Sequence, residues 1–486
     1  MELLDKDLVS IQEVRNMVAK AKTAQRQLAQ MSQAQIDRIV EAIAEAAYKH
    51  RERLAKLAHE ETGFGKWEDK VIKNIFASKH VYESIKDVKT IGILKDDQEE
   101  KIMEVAVPVG VIAGLVPSTN PTSTVIYKAM ISIKSANAIV FSPHPNALQS
   151  IMETTQVIAK AAQQAGCPEG AIACMSVPTL QGTDELMKHK DVSLILATGG
   201  GAMVKAAYSS GTPAIGVGPG NGPAFIERSA NIPLAVKRIL DSKTFDNGTI
   251  CASEQSIVVE ECVEETVVQE LKKQGAHFLT KEESARLEAF IMRPNGTMNP
   301  AIVGKSVQHI AKLADLHVPE ATKVLIARET RVGHYAPYSR EKLSPILAFY
   351  VEKDWTAACE KCIGILNNEG AGHTLIIHSE NPEVIREFAL KKPVSRLLVN
   401  TPGALGGIGA TTNLLPALTL GCGAVGGSST SDNIGPLHLI NIRRIAYGVK
   451  ELEDLKPKEE AVSVESFHKE ELIQSIVQQV LKQLQV

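Results

Sequence analysis

One cysteine in this chain stands where a nucleophile could work. Cys251 lies in TFDNGTICASEQSIVV, a small, polar stretch between a helix-like and a strand-like segment, with Phe245 and Gly248 just before it. A reactive thiol needs access and a depressed pKa, and backbone amides around Gly248 could supply both. A buried structural cysteine is the competing reading. Asn120, in PSTNPTS, follows an apolar run. Its amide could donate to an oxyanion, or it could form a plain turn beside Pro121. In ATGGGAMVKAA, Gly199, Gly200 and Gly201 lie between strand and helix patterns. Such glycines let a backbone approach a pyrophosphate at a helix start, or simply make a tight turn. No G-x-G-x-x-G follows a strand. Glu341, in SREKLSPILAFY, sits beside Lys342 and reads equally well as a surface glutamate. Cys359 and Cys362 form a C-x-x-C on a helix-like segment. With no second pair, no metal site is expected, and they read as core or surface cysteines. His373 opens a strand and His438 sits in an extended-looking segment; both read as structural.

These residues need a scaffold, and the chain is patterned for one. Residues 8–63 read as helices, with Ile36, Ile39, Val40, Ile43 and Ala47 at helical spacing, a Ser32–Gln35 capping box before them and Gly63 as a stop. Residues 90–107 turn extended, as a hairpin outside the main sheet. Then come VIAGLV at 111–116, AIVF at 138–141, AIACMSV at 171–177, VSLILAT at 192–198 and PAIGVG at 213–218, each followed by helix-compatible sequence. That alternation predicts an α/β fold with a doubly wound parallel sheet, whose ligands bind beyond the carboxyl ends of the strands. Those ends carry PSTNPTS, FSPHPNA and ATGGGAM. A second α/β block follows, with QSIVVE, HTLIIHS and RLLVN as strands. The glycine-rich GALGGIGATTN at 403–413 reads as a flexible surface loop, and 435–450 as an extended segment pairing with the hairpin. There is no internal repeat.

Composition narrows the function. The 486 residues exceed one compact core; they are 44% hydrophobic, 22% charged, with a net charge of -3. No basic excess suggests nucleic acid, so the partner is a small molecule. The apolar stretch Val105–Val116 is broken by Pro108, Gly110 and Gly114, and is too short to span a membrane. No signal peptide is visible, and seven cysteines in a chain this long fit a reducing cytoplasm rather than a disulfide framework.

The F-x-x-x-x-x-C pattern from Phe245 to Cys251, with Gly248 three residues before the cysteine, resembles the nucleophile loop of the aldehyde dehydrogenase superfamily. DNGTICASEQS resembles its CoA-acylating branch, and the resemblance runs over roughly residues 5–450. It implies two doubly wound α/β domains plus a small β oligomerisation element. The nucleotide-binding domain would be 1–90 and 108–224, the oligomerisation strands 91–107 and 435–450, and the catalytic domain 225–420. By resemblance, Cys251 is the nucleophile and Asn120, in Pro-x-x-Asn, the oxyanion donor. Ser118, Ser142, Pro143, Thr198, Gly199, Gly200 and Gly218 would face NAD, and Glu341, four residues before Pro345, would hold the nicotinamide ribose. Ser142 stands where the family usually has a lysine, and the acidic selector for NAD is missing, so NADP tolerance is expected. Hydrolytic members carry Glu-Leu-Gly-Gly with a general-base glutamate; here the segment is Gly218-Pro219-Gly220-Asn221, without a carboxylate. That departure favours coenzyme A over water as the acyl acceptor, and acetaldehyde with acetyl-CoA as the expected pair. A hydrolytic dehydrogenase giving the free acid and a non-catalytic scaffold are the rivals; the missing glutamate argues against the first, and intact Cys251 and Asn120 against the second. The GALGGIGATTN loop could admit CoA. A homodimer or homotetramer is expected, because the short exposed strands need partners.

The chain closes with a charged linker at 456–466 and a segment at 467–486. The segment places Leu472, Ile473, Ile476, Val477, Val480, Leu481 and Leu484 on one helical face. Such a tail resembles the encapsulation peptides that dock enzymes to bacterial microcompartment shell proteins. An oligomerisation or packing helix is the alternative.

Overall fold

Three helices open the chain: Lys6–Leu28, Gln33–Lys49 and Arg51–Thr62. The Ser32–Gln35 capping box forms, and Gly63 ends the third helix in the left-handed region at φ 63°. The computed structural model describes residues 5–456 and 464–484.

The hairpin is β1 (Gly92–Asp97) and β2 (Ile102–Pro108). Next come β3 (Val111–Val116), β4 (Ala138–Pro143), β5 (Ile172–Cys174), β6 (Val192–Thr198) and β7 (Ala214–Val217), a parallel sheet in the order β5-β4-β3-β6-β7. Strand β3 pairs with β4 on one side and β6 on the other, so the winding reverses there. The loops after β3 and β6 diverge, which opens a crevice at their carboxyl ends. The fifth strand is shorter than the 171–177 run suggests. Ser176 and Val177 leave the sheet because their backbone N–H groups donate to the Glu13 carboxylate at 2.9 and 3.1 Å.

The second parallel sheet holds β8 (Gly222–Ile226), β9 (Glu254–Glu260), β10 (Ala276–Phe278), β11 (Val324–Arg328), β12 (Ile346–Glu352), β13 (Gly372–His378) and β14 (Val394–Val399), in the order β10-β11-β12-β9-β8-β13-β14. Its two faces pack into separate cores. Phe225, Val258, Leu325, Ala348 and Leu375 point one way; Ala224, Ile226, Ile257, Val259, Ile326, Leu347 and Ile376 point the other. Period-two alternation with both faces apolar is what a sheet covered on both sides requires. Strand β8 begins at Gly222, so the second sheet starts a little before the expected boundary at 225.

Two local expectations are corrected. GALGGIG is no surface loop: Gly403–Gly407 is a buried helical turn, and the Gly403 N–H donates to Glu254 Oε1 at 2.8 Å. Its glycines are needed because a Cβ on Gly403 would fall 2.8 Å from the Ala252 carbonyl oxygen. His438 lies in a 3-10 turn, Pro436–Leu439, rather than in extended chain, its ring nitrogen accepting from the Gly435 N–H. Of the two readings given to the C-x-x-C cysteines, the structure has the core one: Cys359 and Cys362 are both buried in helix Trp355–Asn368.

The last strand, β15 (Ile440–Ala446), joins the hairpin in the order β1-β2-β15, with Arg444 paired to Glu104 at 3.0 Å. Most of the 456–466 linker lies outside the described residues. A helix follows, Val464–Gln483, starting before the expected Phe467. Leu472, Ile473, Ile476, Val477, Val480 and Leu481 on it are each at least half exposed. None of the described helices is long and apolar enough to cross a membrane.

Candidate functional site

The crevice after β3 and β6 extends to the amino ends of β9 and β12. A cleft of about 330 Å³ collects every site residue expected from the sequence. Ser118 and Asn120 come from the loop after β3, Ser142 and Pro143 from the end of β4, and Thr198, Gly199 and Gly200 from the end of β6. Gly218 follows β7, Cys251 precedes β9 and Glu341 precedes β12. A volume of this size is at the lower end for small-molecule and cofactor sites.

The cysteine loop is tightly held. Asp246, Asn247 and Gly248 all have positive φ, at 48°, 53° and 77°. Two non-glycine residues in the left-handed region need compensation, and hydrogen bonds supply it. Asp246 is fully buried and accepts from Lys66 N and Lys70 Nζ at 2.7 and 3.0 Å, and from Lys73 Nζ. Its own N–H donates to Asp69 Oδ2 at 2.7 Å. Burial opposes its ionisation, but Lys73 and Lys70 outweigh that and hold the carboxyl below the usual range.

The environment of Cys251 differs from expectation. Burial pushes its thiol up to about 12, and the Glu341 charge adds to the effect. The amides near Gly248 do not offset this. Arg396 opposes the rise without cancelling it, and the sulfur meets a residue that the sequence left as structural. His373 Nε2 lies 3.1 Å from Cys251 Sγ, and its Nδ1 is 2.9 Å from Thr374 Oγ1. Burial, with the Arg396 charge behind it, pushes His373 down to about 3. Thr374 can accept from Nδ1–H, which leaves Nε2 free to accept the thiol proton. Both groups are therefore neutral at rest. The available signal was a histidine opening the otherwise apolar run HTLIIHS, where a buried ring must find a polar partner.

Asn120 caps helix Pro121–Lys134 and turns its side chain toward the cysteine loop. Its Nδ2 donates to the Thr249 carbonyl at 3.3 Å and its Oδ1 accepts from Lys73 Nζ at 2.6 Å. Glu341 Oε1 accepts from Gly220 N at 2.9 Å. Burial, with Glu369 nearby, pushes Glu341 up to about 8. Gly220 has no room for a side chain, since a Cβ there would fall 1.9 Å from the Cys251 carbonyl oxygen. The Gly218–Asn221 segment thus passes directly against the cysteine.

The other end of the cleft suits a dinucleotide. A Cβ on Gly200 or Gly201 would meet nothing within 4 Å, so the start of helix Gly201–Ser209 is open to a phosphate. Thr198 Oγ1 is buried there without a hydrogen-bond partner, which is a place for a polar ligand atom. Ser142 Oγ pairs with Thr183 Oγ1 at 2.8 Å.

Comparison with known proteins agrees with this architecture. A model of the "Aldehyde dehydrogenase family" matches residues 6–405. The bifunctional aldehyde-alcohol dehydrogenase AdhE of Escherichia coli K12 is 46% identical over 444 residues, covering 90% of this chain and 50% of its own. The chain thus spans about half the length of that curated relative. Among solved structures, a probable aldehyde dehydrogenase from Listeria monocytogenes EGD-e is 74% identical with a TM-score of 0.92, covering 93% of this chain and 100% of its own. An acetylating aldehyde dehydrogenase from Geobacillus thermoglucosidasius is 54% identical with a TM-score of 0.91, covering 94% and 100%. A propionaldehyde dehydrogenase from the Clostridium phytofermentans fucose utilisation bacterial microcompartment is 27% identical with a TM-score of 0.82, covering 90% and 98%. With the family match over most of its length and both sheets in place, the chain belongs to the aldehyde dehydrogenase family.

Proposed function

We propose that this chain is a CoA-acylating aldehyde dehydrogenase that converts a short-chain aldehyde, NAD and coenzyme A reversibly to acyl-CoA and NADH, with acetaldehyde and acetyl-CoA as the preferred pair. The observation that carries this reading is the Gly218–Asn221 segment, which lies against Cys251 and contains no carboxylate of its own. The acetylating activity named for the Geobacillus structure points the same way.

In this reading His373 Nε2 takes the Cys251 proton as the sulfur attacks the aldehyde carbon. The carbonyl π pair moves to oxygen and gives a thiohemiacetal oxyanion, held by Asn120 Nδ2 and the Cys251 backbone N–H. Thr198, Gly199, Gly200, Ser118, Ser142, Pro143, Gly218 and Glu341 would hold the dinucleotide, whose nicotinamide would supply a hydride acceptor for the thiohemiacetal carbon. The CoA thiolate then attacks the acyl carbon, and Cys251 leaves as the thiolate and is reprotonated. The missing acidic selector downstream of Ser142 leaves NADP open as an alternative cofactor. The test is NADH formation from aldehyde with and without CoA, with the product analysed for the thioester.

Asn120→Ala should lower kcat by roughly two to three orders of magnitude, the usual cost of one oxyanion donor. A steady-state comparison showing less than about a threefold change would make Asn120 a structural residue only.

The reading extends to assembly. The largely exposed edge strands β1 and β15 support a homodimer or homotetramer in the cytoplasm, and the exposed apolar face of helix Val464–Gln483 supports docking to a microcompartment shell protein. Deleting residues 464–486 should leave sedimentation and turnover unchanged while abolishing co-sedimentation with shell protein. A full chain that sediments as a monomer would end the oligomer reading. A fall from oligomer to monomer on truncation would reassign the helix to subunit packing.

A further inference from the structure

Behind Asn120 and Cys251 lies a buried charge cluster to which the reaction assigns nothing so far. Lys70 and Lys73 sit one turn apart on helix Trp67–Ile75, so they share a face. Both are almost fully buried and both meet Asp246. Lys70 Nζ also donates to the Thr119 carbonyl at 3.2 Å. Lys73 Nζ reaches Asn120 Oδ1 at 2.6 Å and Thr249 Oγ1 at 2.9 Å. One ammonium therefore ties together the residue offered as oxyanion donor, the cysteine loop and the carboxylate that stabilises its left-handed backbone. The approach depends on Gly65, where a Cβ would fall 1.7 Å from Asp246 Oδ1. The helix then passes into a π-helical turn, Phe76–His80, a distortion common near functional sites.

We propose that Lys73 is a positioning residue for the oxyanion donor, fixing the Asn120 amide with Nδ2 toward the cysteine loop and strengthening that amide through its charge. An ammonium has only donors, so the atom it meets must be the amide oxygen. A cation on the oxygen of an amide draws electron density from its nitrogen, which makes the N–H groups better donors at low local dielectric. Burial lowers Lys73 to about 8, opposed by Asp246, so the ammonium is mostly charged at neutral pH. A neutral Lys73 would still orient the amide but would polarise it less.

This inference rests on the proposed role of Asn120, and a double-mutant cycle separates the two. Lys73→Met, Lys73→Gln, Asn120→Ala and the Lys73→Met/Asn120→Ala pair are made in the full chain. Lys70 remains against Asp246 in each, so the buried carboxylate keeps a cation. Melting curves and NADH binding report that each variant is folded. Lys73→Met should lower kcat about tenfold to a hundredfold with the KM for NAD unchanged, and the pair should be no slower than Asn120→Ala alone. Lys73→Gln, which keeps an N–H donor without the charge, should fall between wild type and Lys73→Met, and it carries the test if Lys73→Met does not fold. If Asn120→Ala is slow but Lys73→Met and Lys73→Gln stay within about threefold of wild type, or if the losses multiply in the pair, Lys73 has no such role. If Asn120→Ala itself turns over normally, the oxyanion reading fails, and this inference with it.

Discussion

Cys251→Ala should abolish aldehyde oxidation, with a loss of about 10⁴-fold or more, and leave NAD binding intact. The loss is complete because no other group in the cleft can form the covalent thiohemiacetal. Binding survives because Thr198, Gly199 and Gly200 hold their places at the end of β6 whatever occupies position 251. Stopped-flow NADH formation and NADH fluorescence measure the two halves, and wild-type turnover in the variant would remove the assignment. The same variant calibrates a second measurement. With the thiol pushed up to about 12 and the imidazole down to about 3, the resting pair is neutral. Alkylation of Cys251 by iodoacetamide in the unliganded enzyme should climb about tenfold per pH unit through the neutral range without levelling off, because the thiolate fraction does so below its pKa. Exposed Cys262 also reacts, and the Cys251→Ala protein supplies that background. A plateau near neutrality would mean a preformed thiolate–imidazolium pair.

The parts of this site that were legible in the sequence are those fixed by local chemistry. Asn120 before Pro121 at the end of an apolar strand, three glycines between β6 and its helix, and a small polar loop around Cys251 each carry their signal within a few residues. The fold was legible for a similar reason: short apolar runs alternating with helix-compatible segments permit few arrangements. What escaped depends on distant chain. His373 looks like any strand residue until β13 is laid beside β8, which carries its amino end to the loop before β9. Lys70 and Lys73 lie far from Asp246 in sequence, and only packing shows that the three charges share one buried pocket. GALGGIG read as a mobile loop because glycine serves flexibility and close packing alike. Its burial follows from Glu254, whose carboxylate accepts from the Gly403 N–H.

Without CoA, the enzyme should release about one NADH per active site rapidly and then nearly stop. The acyl group would remain on Cys251, because activating water needs a base aimed at the thioester and the Gly218–Asn221 segment supplies none. Adding CoA should restore steady turnover with acyl-CoA as product. Glu341 is the carboxyl group whose charge reaches the thiol, so it decides how complete the stall is. Its pKa, pushed up to about 8, leaves it largely protonated at neutral pH, and its Oε1 is tied to Gly220 N. A protonated carboxyl is no base, so the stall holds at neutral pH and below. As pH rises through about 8 the carboxylate form grows, and any CoA-independent leak should grow with it. Gly218 marks where a base could be introduced: a Cβ there meets only the Gly426 carbonyl oxygen at 3.8 Å, whereas Gly220 is closed against Cys251. Gly218→Glu should therefore raise hydrolysis at neutral pH, and Gly220→Glu should disrupt the loop. Rapid-mixing NADH traces with mass analysis of the stalled protein distinguish the outcomes. Sustained turnover to free acid at neutral pH without CoA would replace the acylating reading with a hydrolytic one.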